Sequence, residues 1–121
     1  MKEKPTLVLG ASLNPERYSY LAIHRLRQHH HDVIAIGLRE GLVNDVMIQT
    51  GKPQLQNIDT VTLYLSPKNQ VQYYDYILAL NPKRIIFNPG AENDELTRLA
   101  EKNNIETLEA CTLVMLSTNQ Y

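Results

Sequence analysis

The sequence predicts an α/β fold: a single five-stranded, doubly wound parallel sheet with strand order 3-2-1-4-5. Three observations predict it. Short apolar runs bounded by turn residues recur along the chain, as strands buried on both faces require. Segments of about ten residues with helical spacing separate them. The 121 residues show no internal repeat and no linker, so residues 1–121 read as one domain. A chain of this length buries about two-thirds of its unfolded surface, enough for a core.

The elements follow in order. Thr6 to Gly10 is the first strand, and Tyr18 to His29 the first helix, with Leu21, Ala22 and Leu26 apolar and Arg25 charged. Asp32 to Gly37, "DVIAIG", is the second strand. Leu38 to Asp59 is less regular; its "DVMIQTGKP" reads as a short extra strand and turn. Val61 to Leu65 is the third strand. Asn69 to Leu80 is the second helix, with Asn69 and Gln72 spaced as a capping pair and Pro82 as its stop. Lys83 to Asn88 is the fourth strand. Asp94 to Lys102 is the third helix, and Ile105 to Leu108 the fifth strand. The tail, "ACTLVMLSTNQY", is open between a helix and an edge element.

Ligands of such sheets bind outside the carboxyl ends of the strands, where the winding reverses. The predicted order puts that point between strands one and four. The loops Gly10–Ser19 and Asn88–Asn93 meet there. Net charge is −1, which offers no broad basic surface for nucleic acid. No stretch approaches the roughly 18 apolar residues of a membrane helix. The leading "MKEKPT" lacks a signal-peptide core. With Cys111 as the sole cysteine, no internal disulfide forms, and the expectation is a cytoplasmic protein.

The loop "LVLGASLNPERYS" has the parts of an anion site. First-turn amides and the positive end of a helix favour a phosphate. Gly10 lets the chain turn and an anion approach. Ser12 has a hydroxyl to donate, Asn14 with Pro15 makes a turn, and Arg17 offers a forked donor. Ser19 can cap the helix or donate to a ligand. The plainer alternative is that Ser12, Asn14 and Ser19 only build turns and caps, with Arg17 solvated. The second strand is followed by Leu38-Arg39, not by the acid that holds a free ribose diol. Arg39 favours an extra phosphate near the ribose, 3′ as in coenzyme A (CoA) or 2′ as in NADP; the alternative is a surface arginine pairing Glu40.

"GASLNPERYSYLAIHRLRQHHHDVIAIGLR" resembles the opening of the small CoA-binding domain proteins, stand-alone relatives of the CoA-binding half of the succinyl-CoA synthetase alpha subunit. "NPGAENDELTRLAEKNNIETLEACTLV" is similar to that family's second half, and the likeness covers essentially the whole chain. The resemblance implies a Rossmann-like fold and binding of CoA or acyl-CoA. It assigns Gly10, Ala11, Ser12 and Arg17 to the phosphate loop, with Ser19 at the helix start. Arg39 falls at the adenosine end, where this chain has "GLRE" in place of Asn-Pro. Asn88, Pro89 and Gly90 match the loop beside the pantetheine arm. Cys111 matches a cysteine after the fifth strand.

The resemblance implies no reaction. The synthetases' phosphate-carrying histidine lies in a second domain without a counterpart in these 121 residues, and His24 matches nothing catalytic. The expectation is a non-catalytic CoA or acyl-CoA binder. The alternatives are an NAD(P)-binding Rossmann protein or a regulatory subunit of a larger enzyme complex. A homodimer or a partner enzyme fits either binding reading.

Other features have plain readings. The adjacent side chains of "HHHD", His29 to Asp32, point in different directions and make a poor metal site, so no metal is expected. Cys111 reads as a small buried hydrophobe. "YYDY", Tyr73 to Tyr76, reads as helix rings shared between core and rim. "AENDE", Ala91 to Glu95, reads as acids in a helix's first turn. Lys68, in the turn "SPK", lies at the ligand end of the sheet. No G-x-S-x-G elbow, H-E-x-x-H or Walker loop is present.

Overall fold

The computed structural model describes residues 3–121. Met1 and Lys2 of the charged leading stretch lie outside the described residues. Seven strands form one sheet: β1 (Thr6–Ala11), β2 (Val33–Gly37), β3 (Gly41–Val43), β4 (Val46–Gln49), β5 (Thr60–Leu63), β6 (Arg84–Phe87) and β7 (Glu106–Glu109). The helices are α1 (Tyr18–Gln28), α2 (Pro67–Gln70), α3 (Tyr74–Leu80), α4 (Asp94–Lys102) and α5 (Thr112–Ser117).

The strand order is β3-β4-β2-β1-β5-β6-β7, which corrects the expected five strands and their order. All neighbours are parallel except the β3–β4 hairpin. The stretch 38–49 supplies β3 and β4 rather than a single extra strand and turn. β4 pairs with β2, so it takes the third place among parallel strands. Counted that way, the parallel strands run 3-2-1-4-5-6. The predicted third strand is the fourth, and it lies on the other side of β1.

Strand alternation sorts the core into two faces. Leu7 and Leu9 of β1, Ile85 and Phe87 of β6, and Leu63 of β5 pack with Ile77 of α3 and Leu96 of α4. Val8 and Ile86, one residue out of phase, pack on the opposite face with Ile23 and Leu26 of α1 and Met115 and Leu116 of α5. Helices on both faces explain why β5 and β6 are buried throughout and β1 nearly so, the threonines of β5 included.

The predicted second helix is broken. α2 and α3 are separated by a 3₁₀ turn, Val71–Tyr73, and the expected Asn69–Gln72 capping pair does not form. Ser66 precedes α2, and Asn69 Nδ2 donates to Ser66 Oγ (3.1 Å). α3 ends on Asn81 in the left-handed region (φ 48°), one residue before Pro82. The tail is helical.

Candidate functional site

Gly10 shapes the end of β1. Its φ of +97° suits glycine, and an added Cβ would sit 3.0 Å from the Tyr64 carbonyl carbon. That space is therefore taken by the chain after β5, rather than kept for a ligand. The pairing of β1 with β2 slips between Leu9 and Ala11, and Ala11 ends opposite Gly37. A Cβ on Gly37 would meet the Ala11 carbonyl oxygen at 2.2 Å. Two glycines thus let three strand ends converge.

A cleft of about 760 Å³ opens outside those ends. Its β1 wall holds Gly10, Ala11, Ser12, Asn14, Arg17 and Ser19; its β2 wall holds Gly37, Leu38 and Arg39. The chain after β5 adds Tyr64, Leu65, Ser66, Asn69, Gln72 and Tyr73, and the chain after β6 adds Pro89, Gly90 and Ala91. Arg17 and Arg39 are the only charged residues among these lining groups. Burial holds the Tyr64 phenol well above its ordinary pKa, with nearby hydroxyls of Thr112 and Thr62 opposing the shift, so the phenol is neutral.

Ser12 and Asn14 brace the loop as well as line the cleft. Ser12 Oγ accepts from the Asn14 amide (3.1 Å), and Asn14 Oδ1 accepts from the Glu16 amide (3.0 Å). The Arg17 amide donates to the Asn14 carbonyl (3.0 Å), closing the turn. Arg17 stands at the N-cap of α1, a place expected for Ser19, and makes no side-chain cap bond. Ser19 is buried within the first turn of the helix.

Of the residues assigned to the ligand from the loops after β1, β2 and β6, Asn88 stays out of the cleft. It is buried. Its Nδ2 donates to Thr62 Oγ1 (2.7 Å) and to the Leu63 carbonyl (2.9 Å), and its Oδ1 accepts from the Thr112 amide (2.9 Å). It clasps β6, β5 and α5. Asn88→Ala should cost about 2 kcal/mol in chemical denaturation while Pro89 and Gly90 keep their places. A substitution without effect on stability would remove the clasp. Lys68 also stays outside the lining, whereas its neighbour Ser66 enters it. Cys111 is half-buried at the start of α5 rather than in the core.

Sequence reasoning put the turn after β5 at the ligand end through Lys68 but missed Tyr64, Leu65 and Ser66 as its lining residues. Its position is held by Gln70, fully buried, whose Nε2 donates to the Leu65 carbonyl (2.8 Å) and the Ala91 carbonyl (2.7 Å). Gln70 Oε1 accepts from Asn93 Nδ2 (2.9 Å), and Asn93 Oδ1 caps α4 at the Leu96 amide (3.2 Å). One side chain thus sets the spacing between two walls of the cleft. Among the described residues, no group of three histidine, cysteine, aspartate or glutamate side chains is placed to hold a metal. No helix among them is long and apolar enough to cross a membrane.

Fold and cleft together define a doubly wound α/β domain of the kind that takes a ligand at the reversal of strand order. The chain belongs to the CoA binding domain family, whose model matches residues 4–117. Membership supports a CoA-binding role. Among solved structures, an uncharacterized protein is 47% identical over 100% of both chains, with a TM-score of 0.97. A hypothetical protein from Pyrococcus horikoshii OT3 is 21% identical, covering 97% of this chain and 84% of its own, at a TM-score of 0.83. A protein from Thermus thermophilus is 15% identical, covering 98% and 91%, also at 0.83. The last two show the fold alone. No curated protein matches the chain.

Proposed function

We propose that the chain is a non-catalytic cytoplasmic module that binds CoA or an acyl-CoA, with the pyrophosphate at the loop between β1 and α1. One observation carries this reading. The cleft joins two arginines to the amino end of α1 and has no acid in its lining. The Tyr20 amide donates to the Arg17 carbonyl (3.1 Å), which leaves the Tyr18 and Ser19 amides at the helix start for an anion, and the helix dipole adds partial positive charge. Arg17 serves the diphosphate, and Arg39, after β2, serves the 3′-phosphate. The volume of about 760 Å³ suits a cofactor-sized ligand.

The uncharged walls after β5 and β6 are left for the pantetheine arm. The lining also holds no imidazole, carboxylate or thiol to act as base or nucleophile, which favours binding without turnover. The Leu38-Arg39 step after β2 disfavours NAD, whose free ribose diol calls for an acid there.

Calorimetric titration with CoA, dephospho-CoA, NAD and NADP tests the proposal. CoA should bind most tightly, and loss of its 3′-phosphate should weaken binding. Arg17→Ala should cost about 1–3 kcal/mol of CoA affinity, the range of a charge-assisted contact. Arg39→Ala should shrink the gap between CoA and dephospho-CoA. Preference for NAD, or wild-type affinity in Arg17→Ala, overturns the assignment.

A further inference from the structure

We infer that Glu92 makes the β6 end of the cleft selective for uncharged acyl groups, so that CoA thioesters bearing a free carboxylate bind less well. The inference rests on the CoA reading above. Sheet order alone polarises the cleft: β2, β1, β5 and β6 lie side by side. The arginines follow β2 and β1, whereas the chain after β5 and β6 adds no charge to the lining. A ligand with its phosphates at the arginines directs its uncharged arm toward β6.

Glu92 stands beside that end, just outside the lining. Its Oε1 accepts from the Gly90 amide (2.8 Å), which fixes the carboxylate beside a lining residue. A Cβ added at Gly90 would meet nothing within 4 Å, so this wall is open to a ligand. Two backbone donors on this wall are already engaged. Glu92 holds the Gly90 amide, and Asn93 Oδ1 holds the Leu96 amide of α4 (3.2 Å). Asp94 and Glu95 occupy the first turn of α4 and offset its positive end. A carboxylate held against the β6 wall therefore meets the fixed charge of Glu92, with the lining arginines at the other end and Lys52 beside the β5 wall, where its Nζ donates to the Gln72 carbonyl (2.6 Å).

The test pairs propionyl-CoA with malonyl-CoA, which match in acyl length and differ in one carboxylate. Calorimetry at low salt should show malonyl-CoA weaker by about threefold to tenfold, a gap that narrows as salt is raised. Glu92→Gln keeps an oxygen for the Gly90 amide and removes the charge. Its malonyl-CoA affinity should rise toward that for propionyl-CoA, whose own affinity stays within about twofold. Equal binding of both thioesters by the wild type, or a gap that survives Glu92→Gln, overturns the role of Glu92 and leaves CoA binding intact. Failure of CoA itself to bind overturns both readings. Glu92 is exposed, so an unchanged melting temperature will show that the variant folds.

Discussion

Gly37→Ala is expected to cost about 4 kcal/mol or more and to abolish ligand binding with it. The new methyl group would lie 2.2 Å from the Ala11 carbonyl oxygen and 3.1 Å from Ile48 Cγ2. The first contact decides the outcome, because no side-chain rotation relieves a clash with backbone. β1 and β2 must part where Ala11 pairs with Gly37, and both residues line the cleft. Overpacking of this kind costs about 1–3 kcal/mol even where flexible groups give way, and more where they cannot. Gly90→Ala is the control. Gly90 has a φ of +94° with open space around it, so alanine there pays the left-handed conformation alone, about 1–2 kcal/mol. Urea unfolding of the two variants gives the comparison. Equal midpoints would show that the convergence of β1 and β2 is looser than described.

Such close approaches explain what the sequence disclosed and what it withheld. β1, β2 and β6 each present a short apolar run and β5 alternates threonine with apolar residues, and their limits were legible to within two residues. β4 was not. In "VMIQ" Val46 and Ile48 are buried while Met47 is 54% exposed, and two alternations are too few to stand out. Losing β4 from the sheet renumbered the strands after it. The turn after β5 was therefore placed at the ligand end but not directly beside the β1 loop, where Tyr64 to Ser66 join the lining.

The arginines and the serine loop were legible because their chemistry is local. The role of Asn88 was not. In "FNPG" the residue type suits a ligand, and only the neighbouring Thr62 and Thr112 show that the side chain turns inward. Gln70 was invisible for the same reason: its partners Leu65 and Ala91 lie on two different loops.

Tyr121→Ala should remove about 3–5 kcal/mol from the end of the sheet opposite the cleft. Tyr121 is 3% exposed, and its hydroxyl shares a hydrogen bond with that of Thr6 (2.5 Å), at the start of β1. Its carbonyl oxygen accepts from Lys4 Nζ. The ring lies 4.3 Å from the Arg84 guanidinium carbon and 4.9 Å from the His31 ring. Arg84 is buried; its Nε donates to Thr60 Oγ1 (2.8 Å) while its Nη2 has no hydrogen-bond partner, so the ring face adds to what offsets that desolvated charge. Alanine would remove both the buried ring and this compensation. Tyr121→Phe keeps the ring and loses one hydrogen bond, about 1 kcal/mol.

A pH series adds a second reading. Burial first, then the nearby charges of His29, Lys4 and Arg84, hold the His31 imidazole below its ordinary value of 6.5. The unfolded chain therefore takes up its proton first as pH falls through about 6.5, and the fold loses stability on the acid side. Tyr121→Ala lets water reach His31, so its acid-side loss should be shallower than that of the wild type. CoA affinity at neutral pH should persist, because Thr6 and Arg84 begin the strands whose far ends build the cleft. An alanine variant within about 1 kcal/mol of the wild type, with an unchanged acid slope, would show that Arg84 is stabilised from elsewhere.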